Sequence, residues 1–183
     1  MFQPLGIPGL LLHTPKRHGD GRGYFMETWS ARAFDGHGLP AFVQDNEALS
    51  KEQGTLRGLH FQRPPFAQAK LIRSLAGAIF DVVVDLRVGS PSFGKHVAAE
   101  LRPETGSLFV PAGCAHGYCT LEPDTLVQYK VSAPYAPDYE GGLAWDDPEL
   151  AIPWPDVARK PVLSDRDRKW PRLSELPVMF SAG

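Results

Sequence analysis

Glycine and proline interrupt this chain so often that almost no proline-free stretch is both long and periodic at the helical repeat. That alone excludes a bundle of helices. The 183 residues hold 18 Gly and 18 Pro, about one fifth of the chain against roughly 12% in average usage. The excess does not spell disorder, which needs low hydrophobicity and high net charge. Here 43% of residues are hydrophobic, 22% are charged and the formal net charge is −2. Short strands joined by tight turns fit these facts. They form one all-β domain over residues 1–183, long enough to bury a full core without disulfides.

No apolar run approaches the ~18 residues of a membrane span; the longest surrounds residues 75–80 and ends at Asp81. The opening Met1-Phe-Gln-Pro-Leu-Gly lacks the basic start and apolar stretch of a signal peptide. Cys114 and Cys119 are five apart, so on one strand they face opposite sides and neither pair nor share a metal. A reducing cytoplasm is the expected location. Near-zero net charge argues against non-specific nucleic-acid binding. An anionic ligand therefore has to be held by a local group of Arg and Lys.

Along the chain, Gly6-Ile-Pro-Gly-Leu-Leu-Leu-His13 reads as a turn and a strand. His18-Gly-Asp-Gly-Arg-Gly23 reads as a Gly-rich loop before a strand over Tyr24-Phe-Met-Glu-Thr-Trp29. Ser30 reads as the cap of a short helix over residues 31–34, stopped by Gly36. Phe42-Val-Gln-Asp-Asn46 and Thr55-Leu-Arg-Gly-Leu-His-Phe-Gln62 read as strands. The clearest strand is Ala78-Ile-Phe-Asp-Val-Val-Val-Asp-Leu-Arg87. Phe80, Val82, Val84 and Leu86 share a face suited to a core. Ile79, Asp81, Val83 and Asp85 share the other, where two carboxylates among apolar residues point to a cavity lining.

Further strands are expected over residues 70–75, 96–101, 107–110, 117–121 and 125–131. This spacing indicates an antiparallel sandwich or barrel. The tail after Trp145 carries Pro148, Pro153, Pro155, Pro161, Pro171 and Pro177. It reads as a surface wrap with at most short helices near residues 165–170. His13, His18, His37 and His96 lack a partner pattern and are expected at the surface, and Trp145 and Trp154 as packing residues of the tail.

Gly106-Ser-Leu-Phe-Val-Pro111-Ala-Gly113-Cys-Ala-His116-Gly resembles the second motif of the cupins, small jelly-roll barrels. Many cupins hold a metal with a His-x-His pair and a carboxylate from their first motif. The corresponding Leu59-His60-Phe61-Gln62 has one imidazole where two are needed, so the ligand set of an Fe, Mn or Zn barrel is incomplete. No metal is expected. A lone His is often a satisfied core residue, but His60 is not isolated. Lys70 follows ten residues later, and Tyr129 ends a later strand. A base, an ammonium and a phenol feeding one cavity point to proton abstraction beside a carbonyl. The base removes the C–H, a cation stabilises the enolate oxygen, and the phenol returns a proton from the opposite face, inverting the carbon.

A wider set of segments resembles the dTDP-4-dehydrorhamnose 3,5-epimerase family. They are Gly19-Asp-Gly-Arg-Gly-Tyr-Phe-Met-Glu27, Phe42-Val-Gln-Asp-Asn46, Leu56-Arg-Gly-Leu-His-Phe-Gln62, Lys70-Leu-Ile-Arg73 and Phe80-Asp-Val-Val-Val-Asp85. Ser90-Pro-Ser-Phe-Gly94, Pro111-Ala-Gly-Cys-Ala-His-Gly117, Tyr129-Lys130, Trp145-Asp-Asp-Pro148 and Leu163-Ser-Asp-Arg-Asp167 continue the order over nearly the whole chain. The resemblance implies a cupin jelly-roll barrel with short peripheral helices. It also implies a metal-free homodimer that needs no cofactor and acts on a dTDP-linked 4-keto-6-deoxyhexose. His60 would be the general base and Asp167 its partner, with Asp165 a neighbouring competitor in a variable slot. Lys70 would neutralise the enolate oxygen and Tyr129 would reprotonate.

The same resemblance makes Arg57 and Arg22 pyrophosphate binders, a role suited to bidentate guanidinium contacts. Gln44, Asn46 and Glu27 would contact the nucleotide, and Tyr135 the sugar or base. His116 and Asp81 would form a second polar pair, and Arg22 and Glu27 would act on the partner subunit. The chain departs from the family pattern at Arg166, where a Lys is usual, and at Ala69, where a Gly is usual.

One conflict remains at this level. Strict alternation puts Arg57 and His60 on opposite faces of a strand, so both reach one ligand only if Gly58 makes a bulge. Rival functions are a mono-epimerase inverting C3 or C5 alone, a metal-dependent cupin oxygenase or isomerase, and a non-catalytic sugar-binding cupin.

Overall fold

The computed structural model describes residues 1–182. In chain order its strands are β1 Phe2–Pro4, β2 Leu11–His13, β3 Arg17–Asp20, β4 Gly23–Met26, β5 Gln44–Ser50, β6 Leu56–Gln62, β7 Lys70–Ala76 and β8 Ile79–Asp85. They continue with β9 Arg87–Val88, β10 His96–Leu101, β11 Ser107–Val110, β12 Cys114–Thr120, β13 Thr125–Val131, β14 Glu140–Gly142 and β15 Phe180–Ser181. One short helix, α1 Ala31–Asp35, and three single 3₁₀ turns complete the list. Six strands form one sheet in the order β1-β2-β11-β7-β13-β5, and five form the other in the order β10-β8-β12-β6-β14. The two face each other as a jelly-roll barrel.

Alternation on each strand decides what the barrel holds. Ile72, Val127, Leu108, Val110, Ile79, Val83, Cys114 and Tyr118 pack together between the sheets. The opposite parity of the five-stranded sheet is also buried. Leu59, Phe61, Val82, Val84, Leu86 and Ala115 lie beneath Leu143, Leu150, Ile152, Trp154, Leu176 and Phe180 of the tail. Both faces of β8 are therefore core, which explains its near-continuous Val-rich sequence. The outer face of the other sheet buries Leu71 and Phe109 under Phe34 of α1 with Trp29 and Phe42. Cys114 and Cys119 are free and belong to different clusters, as their five-residue spacing requires.

Several local expectations change. His18-Gly-Asp-Gly-Arg-Gly23 is not a plain loop: β3 and β4 pair across it as a hairpin. Ser30 occupies the cap position of α1, but its hydroxyl donates to Glu27 and accepts no hydrogen bond from a helix N–H. Residues 165–168 form a turn instead of a helix, and the tail's 3₁₀ turns lie at Asp156–Arg159 and Leu173–Glu175. β12 begins at Cys114, so His116 sits inside a strand. His13 is buried, not a surface residue, because β2 is sandwiched between β1 and β11 and its ring packs on Phe2 and Phe34. Burial pushes its pKa down to about 4, with the N-terminal ammonium and His37 adding to the effect.

Candidate active site

At one end of the barrel the inward side chains turn polar. On β7, Lys70 lies two residues from core Ile72, and on β13 Tyr129 lies two residues from core Val127. The same period carries Gln44, Asn46 and Ala48 on β5. These residues, with Arg57, His60, Gln68, His116, Tyr118, Tyr135, Glu140, Ser164, Arg166 and Asp167, line a cavity of about 440 Å³, a size suited to a small ligand.

Arg57 and His60 share this cavity because β6 is bulged. His60 pairs with His116 and Arg57 with Tyr118, so Gly58 and Leu59 together oppose Gly117 alone. The extra residue resets the alternation between them. Gly58 adopts φ 138°, and a Cβ there would lie 2.5 Å from the Gly117 Cα. A Cβ on Gly117 would lie 2.8 Å from the Arg57 carbonyl oxygen. Only a glycine facing a glycine lets the strands approach this closely. Arg57 is then anchored by Nε donating to Ser50 Oγ and Nη2 to the Leu49 carbonyl, both at 3.2 Å.

His60 Nε2 lies 2.5 Å from Asp167 Oδ1. Asp167 is 4% exposed. Burial pushes its carboxyl up, but hydrogen bonds from His60 and Trp170 outweigh this and hold it below the ordinary value. A carboxylate at Nε2 keeps the proton there and leaves Nδ1 as the basic nitrogen of the neutral ring. Asp165, the competing carboxylate, is exposed and does not line the cavity.

Lys70 is buried, with Nζ donating to the His60 carbonyl at 3.2 Å. Burial pushes its pKa down to about 8, against opposing pulls from Asp81 and Glu140. Burial also raises the Tyr129 phenol, and the Arg57 guanidinium pulls the other way. Beneath them, His116 Nε2 meets Asp81 Oδ2 at 2.9 Å. Asp81 is fully buried and its carboxyl is pushed up by that burial, with His116 and Lys70 acting against it. Asp85, on the same strand face, is not a cavity residue. It accepts from Arg87, Ser90 and Ser92.

The residues expected to bind the substrate divide. Gln44 Nε2 donates to Asn46 Oδ1 at 2.7 Å, and Gln44 Oε1 accepts from the Tyr135 backbone N–H at 3.0 Å. Tyr135 stands at the mouth, its hydroxyl donating to Glu140. Arg22 and Glu27 do not line the cavity of their own chain. Arg22 is on the β3–β4 hairpin, paired with Asp20, and Glu27 accepts from Ser30.

The structure adds residues that sequence reasoning passed over. Glu140 accepts from Arg166 Nη1 at 2.5 Å, and this pair closes one side of the mouth. Tyr118 follows His116 by two on one strand, and that spacing is a readable signal. Gln68, Ser164 and Trp170 carry no local signal. Among the described residues no group of three or more His, Cys, Asp or Glu is placed to hold a metal.

An antiparallel barrel whose open end holds a carboxylate-bound imidazole, a buried ammonium and a phenol defines a cupin-type epimerase. The sequence model of dTDP-4-dehydrorhamnose 3,5-epimerase matches residues 4–175. A Sinorhizobium fredii protein of that name is 52% identical over 181 residues, covering 98% of this chain and 92% of that protein. The Bacillus anthracis dTDP-4-dehydrorhamnose 3,5-epimerase, solved with TDP and PPi bound, superposes with TM-score 0.90 at 45% identity, covering 94% of this chain and 98% of that one. The Legionella pneumophila RmlC, in complex with dTDP-4-keto-L-rhamnose, superposes with TM-score 0.94 at 36% identity, covering 100% and 98%. The chain belongs to the dTDP-4-dehydrorhamnose 3,5-epimerase family.

Proposed function

We propose that the chain inverts C3 and C5 of dTDP-4-dehydro-6-deoxy-D-glucose to give dTDP-4-dehydro-L-rhamnose, with His60, Asp167, Lys70 and Tyr129 as its catalytic residues. The observation that carries this reading is the convergence of His60–Asp167, Lys70 and Tyr129 on one cavity. His60 Nδ1 takes the proton from the carbon beside the C4 ketone. The C–H electron pair moves into the enolate, whose oxygen the Lys70 ammonium stabilises. Asp167 compensates the charge on the imidazolium. The Tyr129 phenol delivers a proton to the opposite face, and solvent restores both groups before the second carbon reacts.

Arg57 contacts the pyrophosphate, Gln44 and Asn46 the nucleotide, and Tyr135 the sugar or base, with His116 a further polar contact at the cavity floor. The working unit is a homodimer. Its support is the β3–β4 hairpin, whose second strand presents Tyr24 at 55% and Phe25 at 73% exposure, apolar side chains that a second copy would cover. In that dimer Arg22 and Glu27 serve the partner's cavity. No helix of the described residues is long and apolar enough to cross a membrane, and the cytoplasm is the proposed location.

The test is turnover of dTDP-4-dehydro-6-deoxy-D-glucose in deuterated water, read by NMR. Deuterium at both C3 and C5 is expected, and His60→Ala abolishes it. Label at one carbon only reassigns the chain to a mono-epimerase. Full exchange in His60→Ala refutes the base assignment.

A further inference from the structure

Behind the His60–Asp167 pair lies an indole. Trp170 Nε1–H donates to Asp167 Oδ1 at 3.2 Å, the same oxygen that meets His60 Nε2. Its ring meets the imidazole edge-on, with centroids 6.0 Å apart and planes at 71°. It sits directly on the backbone of Gly142, so closely that a Cβ at 142 would fall within the indole. Gly142 is the strand partner of His60. The following residue is tied down as well: the Pro171 carbonyl accepts from the Ala144 N–H at 2.8 Å. One side chain thus touches both members of the pair and rests in a recess that the strand beside His60 provides.

We propose that Trp170 is a positioning residue for the base: its N–H fixes the Asp167 carboxylate, its ring fixes the plane of the His60 imidazole, and Gly142 supplies the recess that makes this possible. The proposal rests on reading His60 and Asp167 as the catalytic pair. A carboxylate on a surface tail can rotate about its side-chain bonds. A second donor on the oxygen that faces His60 removes that freedom. It also shares the carboxylate charge, so that Asp167 stabilises the imidazolium without holding its proton too tightly. An edge-on aromatic contact resists tilting of the imidazole, and the basic Nδ1 stays aimed at the cavity.

Trp170→Phe keeps an aromatic ring and removes the N–H donor. Asp167 then becomes a stronger acceptor of the His60 Nε2–H and steadies the imidazolium more. The expected result is a kcat lower by about fivefold with KM unchanged, and an acid limb of kcat/KM moved up by about half a pH unit. Gly142→Ala, which displaces the indole, shifts the limb the same way. In the unaltered enzyme, the indole N–H resonance that Trp170→Phe removes titrates with the midpoint of the acid limb. A wild-type limb and kcat in Trp170→Phe, or an indole resonance that stays fixed across the limb, overturns the proposal. His60→Ala separates the two levels. Retained exchange there refutes the catalytic pair itself, whereas lost exchange together with an unmoved limb in Trp170→Phe refutes only the role of Trp170.

Discussion

Burial pushes the Lys70 ammonium down to about 8, and Asp81 and Glu140 offset this only in part. The unfolded chain, with an ordinary lysine near 10.5, therefore binds more protons than the folded one between pH 8 and 10.5. The full desolvation cost is carried below about pH 8 and is relieved as pH rises through that window. Lys70→Met removes a cost that function imposes. It is expected to raise Tm by about 3 °C at pH 7, an advantage that shrinks above pH 8, while abolishing turnover. In the wild-type enzyme kcat/KM falls as pH rises through about 8, where the ammonium is lost. Calorimetry across pH and a pH–rate profile check the two halves. Lys70 and Tyr129 were legible in sequence because each is a reactive group on a strand whose inward period is largely apolar, and His60 because it stands at the first cupin motif with those two groups as company. Asp167 was legible only through the family's tail pattern. Trp170 and Glu140 were not, because they come to the site from distant segments and no local period marks where those segments go.

The bulge in β6 solves a problem that alternation creates, and it does so with two glycines on facing strands. Gly58→Ala forces a side chain onto φ 138° and against the Gly117 Cα. The expected cost is about 3 kcal/mol of stability, read as a lower urea midpoint. Any folded fraction has Arg57 turned from the cavity and KM raised about tenfold, equivalent to one lost charge-assisted contact. An unchanged midpoint and KM would show that the strand tolerates regular pairing. A glycine between two functional residues of mismatched parity was enough to anticipate this bulge from sequence. The β3–β4 hairpin was not anticipated, since the glycines that permit its turn read equally well as a loop. β12 was read as starting three residues late, because Pro111 and Gly113 mark the turn without marking how soon pairing resumes.

The proline-rich tail closes the molecule. Residues 143–182 cover the outer face of the five-stranded sheet, with Phe180 edge-on to Phe61 and Trp154 against Phe80. Asp147 ties two tail segments together by accepting from the Leu173 N–H. The path that buries this face also carries Asp167 to His60, so one segment supports both core and site. The hairpin at the opposite extreme leaves every residue but Met26 exposed in its own chain, and the symmetric dimer proposed above would give it a role. If Arg22 serves the partner's cavity, each site draws His60 from one protomer and Arg22 from the other. Arg22→Ala and His60→Ala homodimers are then both impaired, since every site lacks one group. Mixed after dissociation, they form heterodimers in which one site lacks both groups and the other has both. Random re-pairing makes about half of the dimers mixed, and one intact site in each restores about a quarter of wild-type activity. If Arg22 acts within its own chain, every site in the mixture still carries a defect and no activity returns. Steady-state rates before and after mixing, with dimer mass followed by light scattering, distinguish the two arrangements.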